Sequence, residues 1–150
     1  MKTNSEQPTE ILIREATGQD AGDVVRLISQ LGEDSDITVD YVYQYLSGAD
    51  CCILLAQCGD VVAGLLSYSV RADLFHAGNS LLIEELVVDA EYRGKGIGGA
   101  LLEELMKRAQ GLHCKEVCLA VMPDNEDAIR FYKRHGLVDE ALFLERHFIL

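Results

Sequence analysis

The sequence predicts one α/β (α+β) unit spanning residues 10–150, with a sheet covered by helices. Three observations carry that expectation. With 49% hydrophobic against 25% charged residues, the 150-residue chain can bury a sizeable core. Its apolar residues switch between the two-residue period of strands and the i, i+3, i+4 stripe of helices, in the order β-α-α-β-β-β-α-β-α-β. No internal repeat, low-complexity stretch or interior linker divides that pattern.

Residues 1–9 include Asn4, Ser5, Glu6, Gln7 and Pro8, have almost nothing to bury, and read as a flexible tail. Residues 10–16 form a first short strand. After Thr17-Gly18-Gln19-Asp20, the spacing of Val24, Leu27, Ile28 and Leu31 marks an amphipathic helix, and Gly32 stops it. A second helix fits residues 38–47, with Val39, Val42, Tyr43 and Leu46 on one side and Gly48 following. Residues 51–57 and 61–70 are β-compatible runs joined at Cys58-Gly59-Asp60, the signature of a hairpin. Residues 71–80 read as a loop and 81–88 as a third long strand. The glycines at 94, 96, 98 and 99 lead into a helix whose inner face is Leu101, Leu102, Leu105, Met106 and Ala109. Its outer face carries the i,i+4 pairs Glu103/Lys107 and Glu104/Arg108, and Gly111 ends it. A strand at 117–121, a helix at 125–135 and a final strand or hairpin at 137–150 complete the order.

Charge and cysteine usage narrow the function classes. Thirteen basic against 25 acidic side chains leave a net charge of −12 and a pI near 4.6, which opposes binding to polyphosphate backbones. No apolar run approaches the ~20 residues a bilayer-spanning helix needs, and residues 1–10 are too polar for a secretory h-region. The expectation is a cytoplasmic protein without nucleic-acid or membrane partners. The five cysteines (51, 52, 58, 114 and 118) are odd in number, form no CxxC pair and sit mostly in apolar runs, so they read as reduced core thiols. The histidines at 76, 113, 135 and 147 show no metal-ligand spacing, and no metal is expected. A homodimer is compatible with the sequence, although no interface stripe is visible in it.

The most informative segment is Arg93-Gly94-Lys95-Gly96-Ile97-Gly98-Gly99. Glycines between a strand and a helix let backbone N–H groups close on an anion at the positive helix end, and Arg93 and Lys95 add two cations to the same turn. A phosphate-bearing ligand is implied. Gly94-x-Gly96-x-x-Gly99 also satisfies the dinucleotide fingerprint literally, but residues 89–93 separate it from the strand. No acidic residue stands where the ribose would need it, and no GKS or GKT triplet supports a nucleotide-hydrolysing P-loop.

Arg93-Gly-Lys-Gly96-Ile-Gly98 resembles the (Arg/Gln)-x-x-Gly-x-(Gly/Ala) loop of the GCN5-related N-acetyltransferase (GNAT) family, and the element order agrees. Asn125-x-x-Ala128-x-x-Phe131-Tyr132-x-x-x-Gly136-Leu137 resembles the helix that closes the coenzyme site of that family. The resemblance covers residues 11–150, most closely at 82–99 and 121–137; Ala90 replaces a frequent proline and Leu137 a frequent phenylalanine. It implies a mostly antiparallel central sheet, splayed to admit acetyl-coenzyme A, and transfer of an acetyl group to an amine-bearing acceptor. The loop, Arg93 to Gly99, would hold the pyrophosphate. Leu86, Val87 and Val88 would line the pantetheine arm, with Asn125, Ala128 and Phe131 on the closing helix.

Acetyl transfer needs a deprotonated amine, a polarised carbonyl and a protonated leaving thiolate. The resemblance places Tyr132 as the acid, although a tyrosine there also fits a core position. The main-chain N–H of Val87 or Val88 is expected at the thioester oxygen. Glu84 is the candidate base, directly or through water, or an electrostatic partner for a cationic amine; Glu85 is held in reserve. Strand alternation sends Glu84 and Glu85 to opposite faces. Asn125 serves equally as a helix cap. Cys118 lies near the site without a partner base, which favours direct transfer over an acetyl-cysteine intermediate. Two rivals remain at this stage: a non-catalytic coenzyme A-binding module on the same fold, and a nicotinamide enzyme.

Overall fold

The two β-compatible runs flanking Gly59 close as a hairpin of β2 (Cys51–Cys58) and β3 (Val61–Asp73), with Gly59 at φ +60° in the turn. In the computed structural model, which describes residues 10–149, β1 (Ile11–Glu15) pairs antiparallel with β2 and β4 (Gly78–Val88) pairs antiparallel with β3. β5 (Cys114–Leu119) adds to β4 in parallel, so the sheet order is β1-β2-β3-β4-β5. The tail expected at residues 1–9 lies outside the described residues.

Helices cover both faces of the sheet. On one, α1 (Ala21–Ile28) and α2 (Val39–Ser47) bury Val24, Leu27 and Val42 over Ile53, Leu55 and Leu65. On the other, α3 (Ile97–Gly111) buries Ile97, Leu101, Leu102 and Leu105 over Leu54, Leu66 and Leu81. The short helix α4 (Glu126–Arg134) adjoins the beginning of α3 and contributes Phe131 and Tyr132 to the margin of that second core.

The structure departs from the expected elements in five places. β5 covers Cys114–Leu119 instead of 117–121, because it follows β4 from Asn79 and leaves it at Ile83. Leu31 is 55% exposed because the helix tightens after Ile28 into a single 3-10 turn, Ser29–Leu31, whose altered pitch turns it out of the apolar stripe. On α2, Tyr43 is half exposed and Tyr45 takes the inward place, one helical turn beyond Val42. The loop expected at 71–80 is mostly strand: β3 and β4 stay paired down to Asp73 and Gly78, and polar Arg71, Asn79 and Ser80 had disguised the alternation. No final strand follows α4 among the described residues; residues 137–149 carry no regular structure.

Near β1, an ion pair fixes the entry to α1. Arg14 donates two parallel hydrogen bonds of 2.8 Å to Asp20, and the Thr17 N–H donates to the same carboxylate at 2.8 Å. The Arg14 hydrogen bond is the main reason the Asp20 carboxyl titrates at about 2 instead of 3.8. Its side chain is 10% exposed, so the pair is poorly screened. Folding lowers this pKa, so the stabilisation, about 2 kcal/mol, is complete above pH ~4 and vanishes as pH falls through the folded value. Asp20→Asn is therefore expected to lose about that much at pH 7, with the gap to wild type closing in acid. Urea unfolding at neutral pH and at two acidic pH values checks this; a gap that does not change with pH would refute the assignment.

Candidate active site

The pairing of β4 with β5 runs from Asn79↔Cys114 to Ile83↔Leu119 and stops there. β4 continues to Val88, still paired with β3 on its other side, while the chain after Leu119 turns away. The main chain of residues 84–88 thus has one edge without a strand partner among the described residues, at the mouth of a wedge-shaped opening. Leu86 and Val88 point to the α3 side of the sheet, whereas Val87 is 4% exposed on the α1 side. Leu86, Val87 and Val88 therefore offer main-chain atoms to the opening.

Beyond Val88 the turn toward α3 is braced before it becomes free. Asp89 N–H donates to Ala63 O at 2.8 Å, and its carboxylate accepts from Glu91 N–H at 3.0 Å and Arg26 Nη1 at 2.5 Å. The Glu91 N–H, followed by Arg26, holds the Asp89 carboxyl below the usual carboxylate range. Arg26 also donates to Val62 O at 2.6 Å, tying α1 to the start of the turn. Sequence reading did not find this brace, since its partners lie 63 positions apart.

The glycines of the turn divide into two groups. Gly94 and Gly96 have φ of +77° and +80°, a region that a side chain disfavours. Gly98 and Gly99 face α4: a Cβ on Gly98 would lie 3.2 Å from Phe131 Cζ, and one on Gly99 would lie 3.4 Å from His135 Nε2. The close approach brings Gly98, Phe131 and Val88 together, and a cavity of about 490 Å3 beside them is lined by Gly96, Gly99, Ala100, Met106 and His135. Ile97 is 2% exposed, so its side chain belongs to the core and only its main chain can face a ligand. The N-terminus of α3 has no side-chain cap and no acidic residue in its first turn. Its amides and the exposed side chains of Arg93 and Lys95, which form no ion pair among the described residues, make a positive corner in an acidic chain. Lys95 Nζ lies 5.0 Å from the centre of the Tyr92 ring.

On α4, Asn125 Oδ1 accepts from Ala128 N–H at 3.3 Å, which makes Asn125 the helix cap. Ala128 is half-buried, and Phe131 and Tyr132 stack edge to face with centroids 5.3 Å apart. Burial pushes the Tyr132 phenol above its ordinary range, so it is protonated at neutral pH.

Glu84 and Glu85 correct the expectation of opposite faces. Tyr68 pairs with Ile83 and Ser67 with Glu85, leaving Glu84 as an extra residue in β4. The bulge resets the alternation: Leu81 and Ile83 face α3, and so do Leu86 and Val88. Both carboxylates consequently lie on the α1–α2 side. Glu85 accepts from Ser67 Oγ and donates its N–H to the same oxygen at 3.0 Å, while exposed Glu84 accepts from Ser69 Oγ at 3.3 Å. Tyr45, which sequence reading passed over for Tyr43, is a neighbour: its hydroxyl is buried without a hydrogen-bond partner among the described residues, and burial, then Glu84, raises its pKa. The spacing Val42, Tyr45, Leu46 was the available signal. Tyr132 and Glu84 thus flank β4 from opposite faces, with the opening between β4 and β5 as the passage.

All five cysteines are free; Cys58 is buried and the others are half-buried. Burial, then Glu116, pushes the Cys118 thiol up, which disfavours a nucleophilic thiolate. Among the described residues, Asp73, His76 and Glu116 bring three potential metal-ligand atoms within 4.8 Å of one another. His76 Nδ1 lies 2.6 Å from Asp73 Oδ2, and Asp73 raises the imidazole pKa, so the group is an exposed ion-pair cluster at the far end of β4. No helix of the described residues is long and apolar enough to cross a membrane.

Comparison with known proteins agrees with this geometry. Residues 21–137 match the model of the acetyltransferase (GNAT) family. The chain is 28% identical over 147 residues to thialysine N-epsilon-acetyltransferase of Bos taurus, covering 86% of this chain and 85% of that protein. It is 34% identical over 81 residues to spermine/spermidine N(1)-acetyltransferase of Bacillus subtilis, covering 52% and 53%. The crystal structure of glucosamine-6-phosphate N-acetyltransferase from Arabidopsis thaliana shares the fold, with a TM-score of 0.80, 23% identity, and coverage of 93% and 99%. A five-stranded sheet with one parallel strand, a glycine-rich turn at the end of β4 and a family match across both explain one another: the chain belongs to the GNAT family of acetyltransferases and is an acyltransferase.

Proposed function

We propose that residues 10–150 act as one acetyltransferase unit that uses acetyl-coenzyme A to N-acetylate a primary amine of a small cationic molecule. The observation that supports this most is the uncapped start of α3, with Arg93 and Lys95 in no ion pair among the described residues, placed directly beyond the edge of β4 that no described strand covers. The activities that name those relatives, on thialysine and on spermine or spermidine, support the choice of a small amine. The coenzyme, when bound, supplies an activated acetyl thioester.

The chain's own residues divide the remaining work. The amides from Gly94 to Gly99, with Arg93 and Lys95, hold the pyrophosphate. The edge of Leu86, Val87 and Val88 orients the pantetheine arm against Asn125, Ala128 and Phe131, and a main-chain N–H of Val87 or Val88 polarises the thioester oxygen. Glu84, the more accessible of the two carboxylates, accepts the ammonium proton directly or through water. The freed amine attacks the carbonyl carbon, the carbon–sulfur bond breaks as Tyr132 gives its phenolic proton to the thiolate, and the proton lost by the acylated nitrogen restores the phenol through water.

Thermal unfolding of the purified chain with acetyl-coenzyme A, coenzyme A, NADH or no ligand tests the assignment. Acetyl-coenzyme A at a hundred times its dissociation constant should add about 2.7 kcal/mol, a rise of several degrees, which NADH does not reproduce. No rise at saturation, or a rise with NADH alone, overturns it. Thiol release across a panel of amines then reads the transfer itself.

A further inference from the structure

The apolar core beneath α1 and α2 takes residues from β2, β3 and the upper end of β4 but none from β5, so that face of the sheet is left open over lower β4 and β5. Its residues lie in rows set by the strand register. Arg71 pairs with Ser80 and Ser80 with Glu116, which puts these three in one row. Two residues nearer the wedge, Ser69 pairs with Leu82 and Leu82 with Cys118. Tyr68, Val70, Leu81 and Ile83 pack on the α3 side, so by alternation both rows point to the open face. Glu84 follows on the same face, and Ser69 Oγ donates to its carboxylate at 3.3 Å.

Opposite charges stand at the two ends of this face. Arg71 and Glu84 are both exposed, and neither forms an ion pair among the described residues. Glu116 accepts from Ser80 Oγ at 3.3 Å and lies 3.8 Å from His76 Nε2, while the other ring nitrogen of His76 is held by Asp73. Between the charged row and the Glu84 carboxylate lie half-buried Leu82 and Cys118, an apolar floor spanning ~7 Å, the rise of two strand residues. We infer that the acceptor is a basic amino acid of the lysine type: its carboxylate docks on Arg71 and its α-ammonium on Glu116, its methylene chain crosses Leu82 and Cys118, and its terminal amine reaches Glu84.

This rests on the acetyl transfer proposed above and names the acceptor for it. Three features favour a basic amino acid over other amines. The row of Arg71, Ser80 and Glu116 offers a cation and an anion on either side of a hydroxyl, the complement of a zwitterionic head, and a guanidinium takes a carboxylate through two parallel hydrogen bonds. The flexible four-carbon stem of a lysine matches the apolar floor between that row and Glu84. A linear diamine or polyamine would bring a second ammonium to the Arg71 cation, and a lysine inside a protein has neither the free carboxylate nor the α-ammonium, so both would leave charges of the row unmatched.

Thiol release by the full chain with acetyl-coenzyme A tests this on three acceptors: L-lysine, lysinamide, which lacks the carboxylate charge, and cadaverine, which lacks the carboxylate altogether. L-Lysine is expected to show a kcat/KM about tenfold or more above either, with the acetyl group on Nε. Arg71→Gln should raise KM for L-lysine by about tenfold or more with little change in kcat, and bring the lysine-to-cadaverine ratio toward one. Arg71→Glu should invert that ratio. A residue that served the fold alone would depress all three acceptors together and leave the ratio where it was. Equal use of the three by wild type, an Nα product, or a ratio unmoved in Arg71→Gln overturns the inference and leaves acetyl transfer standing. No thiol release with any acceptor overturns the acceptor reading with it, and thermal unfolding with acetyl-coenzyme A then shows whether the coenzyme reading survives. Should the variants fail to fold, the wild-type ratios and the site of acetylation decide.

Discussion

Replacing Tyr132 by phenylalanine is expected to lower turnover by roughly 10²-fold or more while leaving the affinity for acetyl-coenzyme A nearly unchanged. The ring is retained, so its packing beside Phe131 and against the α3-side core survives. What is lost is one proton, held on the phenol at neutral pH because burial raises its pKa. Without that donor the thiolate must leave unprotonated or draw on water. Steady-state kinetics with a reactive amine, alongside calorimetric titration of the coenzyme, separate the two quantities. Unchanged turnover would remove Tyr132 as the acid, and an equal loss of affinity would recast it as a packing residue.

The second large effect is structural and starts from Gly64. A Cβ added there would sit 2.7 Å from Ile97 Cγ2, 3.2 Å from Leu101 Cδ1 and 3.4 Å from Val87 O. Both helix side chains are fully packed, so relief requires moving α3 off the sheet. Gly64→Ala is expected to cost about 1–3 kcal/mol, and Gly64→Val more. Because Ile97 is the first residue of α3, the displaced end is also the end proposed to hold the pyrophosphate. Urea unfolding should therefore show lost stability, and coenzyme titration should show weakened binding at a distance from the ligand. A stable Gly64→Val protein with undiminished binding would contradict the close approach.

Legibility in the sequence followed the reach of the forces involved. The helices, the β2–β3 hairpin and the glycine turn were readable, because periodicity and glycine are local signals. Covering faces were readable too: Leu101, Leu102, Leu105 and Ala109 are all buried as their spacing required. The turn's second purpose was not, since only the fold brings Phe131 and His135 against Gly98 and Gly99. The same holds for Arg26, an ordinary helix-face arginine until β4 delivers Asp89 to it. The Glu84 bulge sits between these cases. Its trace is the phase slip from Leu81 and Ile83 to Leu86 and Val88, which a rule of simple alternation overrides. Residues 137–149 were misread because an apolar run with strand character does not by itself supply a strand to pair with.

That single extra residue makes β4 a strand with two counting systems. Below it, odd-numbered positions face α3; above it, even-numbered positions do. The lower length packs as a core strand and the upper length presents the wedge, so the two can diverge in sequence without disturbing one another. A relative lacking one residue at 84 or 85 would return to plain alternation and keep every layer, whereas one of the same length without the bulge would present every residue beyond 84 to the opposite layer. Aligning such a pair by identity alone would equate an inward side chain with an outward one, and engineered transplants across this point should be matched by layer before they are matched by number.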